Sequence, residues 1–156
     1  MNRRLLSLAC IAAIAAAASV AVAQQAPKPE TLIKWRQSAF QTIAWNTSRI
    51  KGSLDNGYNK DEVVKAANTL SAVANSGLFT LFAPGSDQGK GWHETTARPD
   101  IFKDNKRFNE LGVNFAKEAS ELARIASAGD AAAVKEQFGK VSKACKGCHD
   151  DFKGKD

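Results

Sequence analysis

Apolar positions along the chain recur at intervals of three and four, the spacing of one helix face, and nowhere alternate convincingly as a half-buried strand does. Four segments carry this pattern. The first follows Pro27 and Pro29 and is predicted to run from Glu30 to Lys51, with Ile33, Phe40, Ile43, Thr47 and Ile50 on one stripe and Gly52 closing it. The second opens at Asn59, which forms a capping box with Glu62 in which Asn replaces the usual Ser or Thr. It carries Val63, Ala67, Leu70, Ala74 and Leu78 towards Leu81, before Pro84. The third runs from Asp104 to Ala128, with Phe108, Leu111, Phe115, Ala119, Leu122 and Ile125 or Ala126 on one face, and ends at Gly129. The fourth starts after the N-cap Asp130 and places Val134, Phe138, Val141, Cys145, Cys148 and Phe152 on a steady stripe.

The prolines all fall outside these helix interiors. Helices of about 22 residues are about 33 Å long, and short links between them predict an all-α, antiparallel four-helix bundle. The exception is the link between the second and third helices, "APGSDQGKGWHETTARPDIF", whose Gly and Pro content predicts an irregular loop.

The N-terminus adds a different kind of segment. Arg3 and Arg4 precede an Ala-rich apolar run from Leu5 to Val20, and Ala21-Val22-Ala23 forms an A-x-A cleavage signal. Residues 1–23 are therefore expected to be a signal peptide and residues 24–156 the mature domain. An uncleaved anchor is the competing reading, since about 19 uncharged residues just span a bilayer; the weak apolarity of alanine and the cleavage signal favour removal, with no membrane attachment afterwards. Charge changes the picture little. The full chain has 22 basic and 16 acidic residues, and loss of Arg3 and Arg4 leaves 20 against 16, a net of +4. With no dense Lys/Arg run, nucleic-acid binding is excluded as the function.

The mature chain keeps two cysteines, two histidines and no methionine. Both cysteines and one histidine lie in "VSKACKGCHDDFKGKD", where Cys145, Cys148 and His149 share a helix face that the fourth stripe directs into the bundle. C-x-x-C-H is the attachment motif of a c-type haem. Each sulfur forms a thioether to a vinyl group, and the neighbouring imidazole is placed to bind iron. A thioredoxin-like redox pair would need a βαβ context that this chain lacks. A zinc site would need His93 to join Cys145, Cys148 and His149 as a fourth ligand, and a disulfide between cysteines three apart on a helix is strained. A sixth iron ligand is hard to supply. Methionine is gone with the leader, lysine would have to lose its proton, and His93 lies in the irregular loop. Elimination leaves five-coordinate iron with an open axial position, His93 being the alternative.

These residues resemble the cytochromes c′, the class II c-type cytochromes of the bacterial periplasm, over essentially the whole mature chain. The C-terminal "CKGCHDDF" carries the likeness, with "KWRQSAF" similar to the family's distal-side segment and "ARPDIF" to its loop-end segment. The resemblance implies a periplasmic protein with one haem c held inside the bundle, attached through Cys145 and Cys148, with His149 as axial iron ligand. It implies that Arg36 and Gln37, and with them Thr96, touch the haem propionates. By pattern alone Phe40 is ordinary core; the resemblance makes it the apolar cover of the distal iron face. A phenyl ring there offers no hydrogen bond to bound O₂, which excludes O₂ storage. Many relatives have arginine four residues after the axial histidine, where this chain has Lys153, which lacks the bidentate guanidinium.

The function expected is binding of NO and CO, in protection from nitrosative stress or gas scavenging. Electron transfer with periplasmic redox partners is the alternative. No distal acid–base pair is visible, so an enzyme is not expected. Trp45 lies off the inward stripe of the first helix, which points to an interface; the resemblance implies a homodimer through first helices.

Overall fold

The computed structural model of the chain describes residues 26–154; the expected signal peptide, residues 1–23, lies outside the described residues. Helix α1 spans Pro29–Asn56, with proline in its first turn where no N–H is needed. It does not stop at Gly52. A glycine inside a helix costs about 1 kcal/mol relative to alanine, and contacts made by the last turn offset it: Leu54 packs on the core and Lys51 pairs with Asp55. Asn56 donates to the Gly52 carbonyl at 3.0 Å. The helix ends at Gly57, whose φ of 113° only glycine adopts readily.

Helix α2 spans Lys60–Ala74, and the Asn59 side chain accepts from the Glu62 N–H at 3.1 Å. Only this half of the expected capping box forms. Glu62 pairs instead with Arg49 of α1 at 2.5 Å, and the Asn59 N–H donates to Ser53 Oγ at 2.8 Å. The helix also ends earlier than the stripe towards Leu81 predicts. Asn75 and Ser76 turn their side chains back onto the carbonyls of Ser71 and Val73, both at 2.8 Å, which competes with helix continuation. Gly77 then reverses the chain at φ 82°, and Leu78–Leu81 forms a 3₁₀ turn that still buries Leu78.

Helix α3, Asn105–Ala128, is capped by Asp104 and closed by Gly129; helix α4, Ala131–Phe152, is capped by Asp130, which accepts from the N–H groups of Ala132 and Ala133. Every core position predicted on the second stripe is buried, as are Phe108, Leu111, Phe115, Ala119, Leu122 and Ala126 on α3. On α4, Val134, Val141 and Phe152 are buried while Phe138, Cys145 and Cys148 are half-buried. The result is the expected four-helix bundle, with no β-strand among the described residues. Buried Asn46 and Gln137 were not apparent from the stripes. Asn46 donates to Thr42 O at 2.8 Å, and Gln137 donates to the carboxylate of Glu118 at 2.7 Å, so each is satisfied locally. No helix among the described residues is long and apolar enough to cross a membrane.

Packing around the bundle is uneven. Helix α1 packs on α2, α2 on α3 and α3 on α4, whereas α1 and α4 do not come together closely. The link from Asn75 to Asp104 crosses the end of this seam. It is an ordered, turn-rich segment with a one-turn helix at Asp100–Lys103, whose Ile101 seals a second apolar cluster with Phe108, Leu111 and Phe152.

Candidate functional site

The α1–α4 seam is lined by phenylalanine. From α1, Phe40 meets the ring of Phe82 edge-on at 6.2 Å between centroids. Phe82 meets Phe108 at 5.0 Å, and Phe108 meets Phe152 of α4 at 5.3 Å, both edge-on. Phe79 joins the group and lies flat against Gly112, where a Cβ would stand 2.9 Å from its ring. Cys145 packs against the apolar cluster that includes Phe40, and Cys148 against the one that includes Phe82, Phe108 and Phe152. The two thiols, one helical step apart, thus face the two apolar clusters of the bundle.

Both cysteines are free thiols. Burial pushes their pKa up, and Cys148, with Asp151 and Cys145 adding to the effect, reaches about 11. They are neutral S–H groups at neutral pH. His149 does not follow them inward: it is exposed, on the opposite flank of Cys145 from Cys148. Steps of three and four residues rotate in opposite senses around a helix, so a face wide enough for both cysteines leaves His149 at its open edge. Asp150 pairs with Lys146 at 2.6 Å, and Asp151 faces Arg107 at 3.4 Å. Lys153 is exposed, and its N–H continues α4 by donating to His149 O.

Arg36 is not the surface residue that a charged helix position would ordinarily be. It is 3% exposed, stacks 4.5 Å from the Phe82 ring centroid, and donates to Ser86 Oγ at 2.7 Å, to Ser86 O, and to Thr95 Oγ1 at 2.6 Å. All its hydrogen bonds go to neutral oxygens. Burial lowers its pKa to about 10, Asp87 opposing. Gln37 grips the same loop, accepting from the Trp92 N–H at 2.7 Å and donating to His93 O at 2.9 Å. Gly91 fits beneath: a Cβ there would run into Gln37 Oε1.

Thr96 sits one place beyond the threonine that meets Arg36. Its carbonyl accepts from the Gly154 N–H at 2.7 Å, and the Arg98 N–H donates to Phe152 O at 2.9 Å, tying the loop to the end of α4. Ser86, Thr95, Phe79 and Phe82 are the site residues that sequence reasoning missed. The run "LFTLF" carries a visible aromatic signal for the last two; nothing in the periodicity marks Ser86 or Thr95.

His93 is exposed, with Nδ1 3.3 Å from Gln37 Nε2 and 2.9 Å from Glu94 O. Among the described residues no group of three His, Cys, Asp or Glu side chains could hold a metal ion, so the ligands a zinc site would need are not gathered in one place. The residues present fit a haem. Two neutral thiols at one helical spacing suit two vinyl groups, an apolar aromatic wall suits a flat macrocycle, and a desolvated guanidinium without a carboxylate partner suits a propionate.

A four-helix bundle with this C-terminal motif beside an aromatic seam is a c-type haem protein of the bundle class. A family model described as Cytochrome C′ matches residues 31–153. A cytochrome c′ from Rhodocyclus tenuis is 58% identical over 130 residues, 83% of this chain and 98% of that protein. Among solved structures, a cytochrome c′ with an unusual ligand-controlled dimer dissociation superposes with a TM-score of 0.80 at 37% identity, covering 84% of this chain and 100% of that one. The nitric oxide complex of a point mutant of cytochrome c prime from Alcaligenes xylosoxidans superposes with a TM-score of 0.74 at 28% identity, again covering 84% and 100%. This chain belongs to the cytochrome c′ family, and its cofactor is a covalently attached c-type haem.

Proposed function

We propose that this chain is an exported gas-binding haem protein that takes NO and CO at an iron face covered by Phe40. Residues 1–23 are its leader, residues 24–156 its working domain, and the periplasm its location. Cys145 and Cys148 would hold the haem through thioethers, and His149, at the edge of α4, would bind its iron. When bound, the haem would supply an iron able to take a diatomic gas.

The observation that carries this reading is the environment of Phe40. Its ring stands in the aromatic seam beside Phe82, so the side chain read as the distal cover has apolar surroundings and offers no hydrogen-bond donor. Without a hydrogen-bond donor, bound O₂ gains no stabilisation, while NO and CO depend on the iron bond itself. Arg36 also has the desolvated charge to attract a propionate, with Gln37 and Thr96 proposed to join it there. The NO complex solved for a relative agrees with this choice of ligand. The reading is of a binding protein, not an enzyme.

An optical spectrum of the holoprotein, oxidised and dithionite-reduced, with and without NO, tests it. A high-spin reduced spectrum that changes on adding NO is expected. A low-spin spectrum indifferent to NO would mean a sixth ligand, and electron transfer with a periplasmic partner would replace gas binding.

The assembly proposed is a homodimer through α1. Trp45 is 62% exposed there, with Arg49 stacked 4.7 Å over its ring. Trp35 is also exposed, and Trp92 lies against the same helix, its Nε1 donating to Ser38 Oγ at 2.9 Å. A solved relative forms a dimer whose dissociation is ligand-controlled. Gel filtration of Trp45→Glu should give the monomer; an unchanged elution volume removes Trp45 from the interface.

A further inference from the structure

Phe40 does not stand alone in the seam. Its edge meets the ring of Phe82, which is pinned on several sides. Arg36 stacks over Phe82 at 4.5 Å, Phe108 meets it edge-on at 5.0 Å, and Phe79 stacks beside it at 6.4 Å. Its backbone is equally constrained. The Phe82 N–H closes the 3₁₀ turn onto Phe79 O at 3.3 Å, and Pro84 comes two residues later. The guanidinium above the ring is itself fixed to the loop by Ser86 and Thr95. A ring held this way yields little, and any swing of Phe40 towards the loop runs into it.

We propose that Phe82 is a positioning residue for gas binding: it acts as a backstop that limits how far Phe40 withdraws from the iron face, and so sets the entry rate of NO and CO. The proposal rests on the reading of Phe40 as the distal cover. It places part of the ligand selectivity in the loop between α2 and α3, outside the helix that carries the covering side chain. Loss of one edge-on aromatic contact corresponds to a rate change on the order of fivefold.

The test is a double-mutant cycle on the holoprotein, with CO association measured after flash photolysis in wild type, Phe82→Leu, Phe40→Ala and the double variant. Phe82→Leu should speed CO association about fivefold, and that gain should vanish when Phe40 is already alanine. A crystal structure of Phe82→Leu without added gas gives an independent readout, in which Phe40 should occupy a second rotamer. An equal effect of Phe82→Leu in both backgrounds, no effect on the wild-type background, or a Phe40 fixed in one rotamer overturns the proposal. If Phe40→Ala itself leaves CO association unchanged, the distal-cover reading fails instead, and the cycle separates that outcome from failure of the backstop.

Discussion

Replacing Arg36 by methionine should destabilise the folded protein by about 3 kcal/mol. Methionine keeps an apolar stem against Phe82 but removes every donor. Three of the four hydrogen bonds matter: those to Ser86 Oγ, Ser86 O and Thr95 Oγ1. The fourth, to Leu81 O at 3.5 Å, stands at the geometric limit and is discounted. Hydrogen bonds from a charged donor contribute about 1.5–3 kcal/mol each, but a buried guanidinium forfeits several kcal/mol of hydration, which cancels a large part of the gain. The other side of the contact leads to the same scale. Ser86 is fully buried, so its hydroxyl and carbonyl would be left without partners at about 1–3 kcal/mol each. For a domain of this size, a loss of about 3 kcal/mol lowers Tm by roughly 10 °C. Thermal unfolding of the holoprotein, followed by circular dichroism at neutral pH, measures it. Arg36→Lys keeps the charge without the fork and should lose about half as much. A Tm for Arg36→Met within about 2 °C of wild type would refute the reasoning, since the guanidinium would then contribute nothing beyond the cost of burying it.

Gly91→Ala should destabilise by about 1–3 kcal/mol and loosen the loop, because its Cβ would overlap Gln37 Oε1 and press on Ile33 Cγ2 at 2.8 Å and the Lys34 backbone at 2.9 Å; faster amide exchange in residues 89–95 is the expected signature. In haem-free chain, the raised pKa of Cys148, about 11, means that the fold favours the neutral thiol. That stability is complete below the ordinary thiol pKa near 9 and is lost as pH rises through about 11. Urea unfolding of haem-free wild type should therefore weaken between these pH values more than that of Cys148→Ala, and equal pH slopes would refute it. Replacing both Cys145 and Cys148 by alanine should abolish haem that survives denaturing electrophoresis; retained covalent haem would place the attachment elsewhere.

Much of this fold is readable because helices bury a stripe, and a stripe repeats. Ile33, Ile43 and Ile50 on α1 and Val63, Ala67, Leu70, Ala74 and Leu78 from α2 onward fall on the expected inward positions. Helix ends were less legible where two local effects compete. Gly52 carries a stop signal, yet Leu54 and the Lys51–Asp55 pair reward continuing; Leu78 keeps the period, yet Asn75, Ser76 and Gly77 break the backbone before it. The C-terminal motif declared itself because its chemistry is local, three residues within two turns. Arg36 is the opposite case. It lies on the same stripe as Ile33 and Phe40, but the oxygens that justify burying it, on Ser86 and Thr95, are 50 and 59 residues away. The same distance hid Gln37's grip on Trp92 and His93, so the loop looked irregular when it is clasped.

The sizes of the inward side chains also say where the bundle opens. Helix α2 buries Ala66, Ala67 and Ala74, and α3 buries Gly112, Ala119 and Ala126. Small residues let helix backbones approach, and these two helices sit in the middle of the closely packed series. Helix α1 buries no alanine; its inward positions are Leu32, Ile33, Arg36, Ile43, Asn46 and Ile50, with Phe40 at the seam. Facing it, α4 ends in Cys145, Cys148 and Phe152. Helices α1 and α4 do not come together closely; the Phe82 ring reaches Phe40 of α1, and the Phe108 ring reaches Phe152 of α4. On this side of the bundle stand the half-buried thiols of α4, the desolvated Arg36 of α1 and the phenylalanine rings. If Phe40 covers the iron as proposed, the close packing of α1 on α2 and of α2 on α3 leaves side-chain rotation, Phe40's first, as the motion that would admit a ligand.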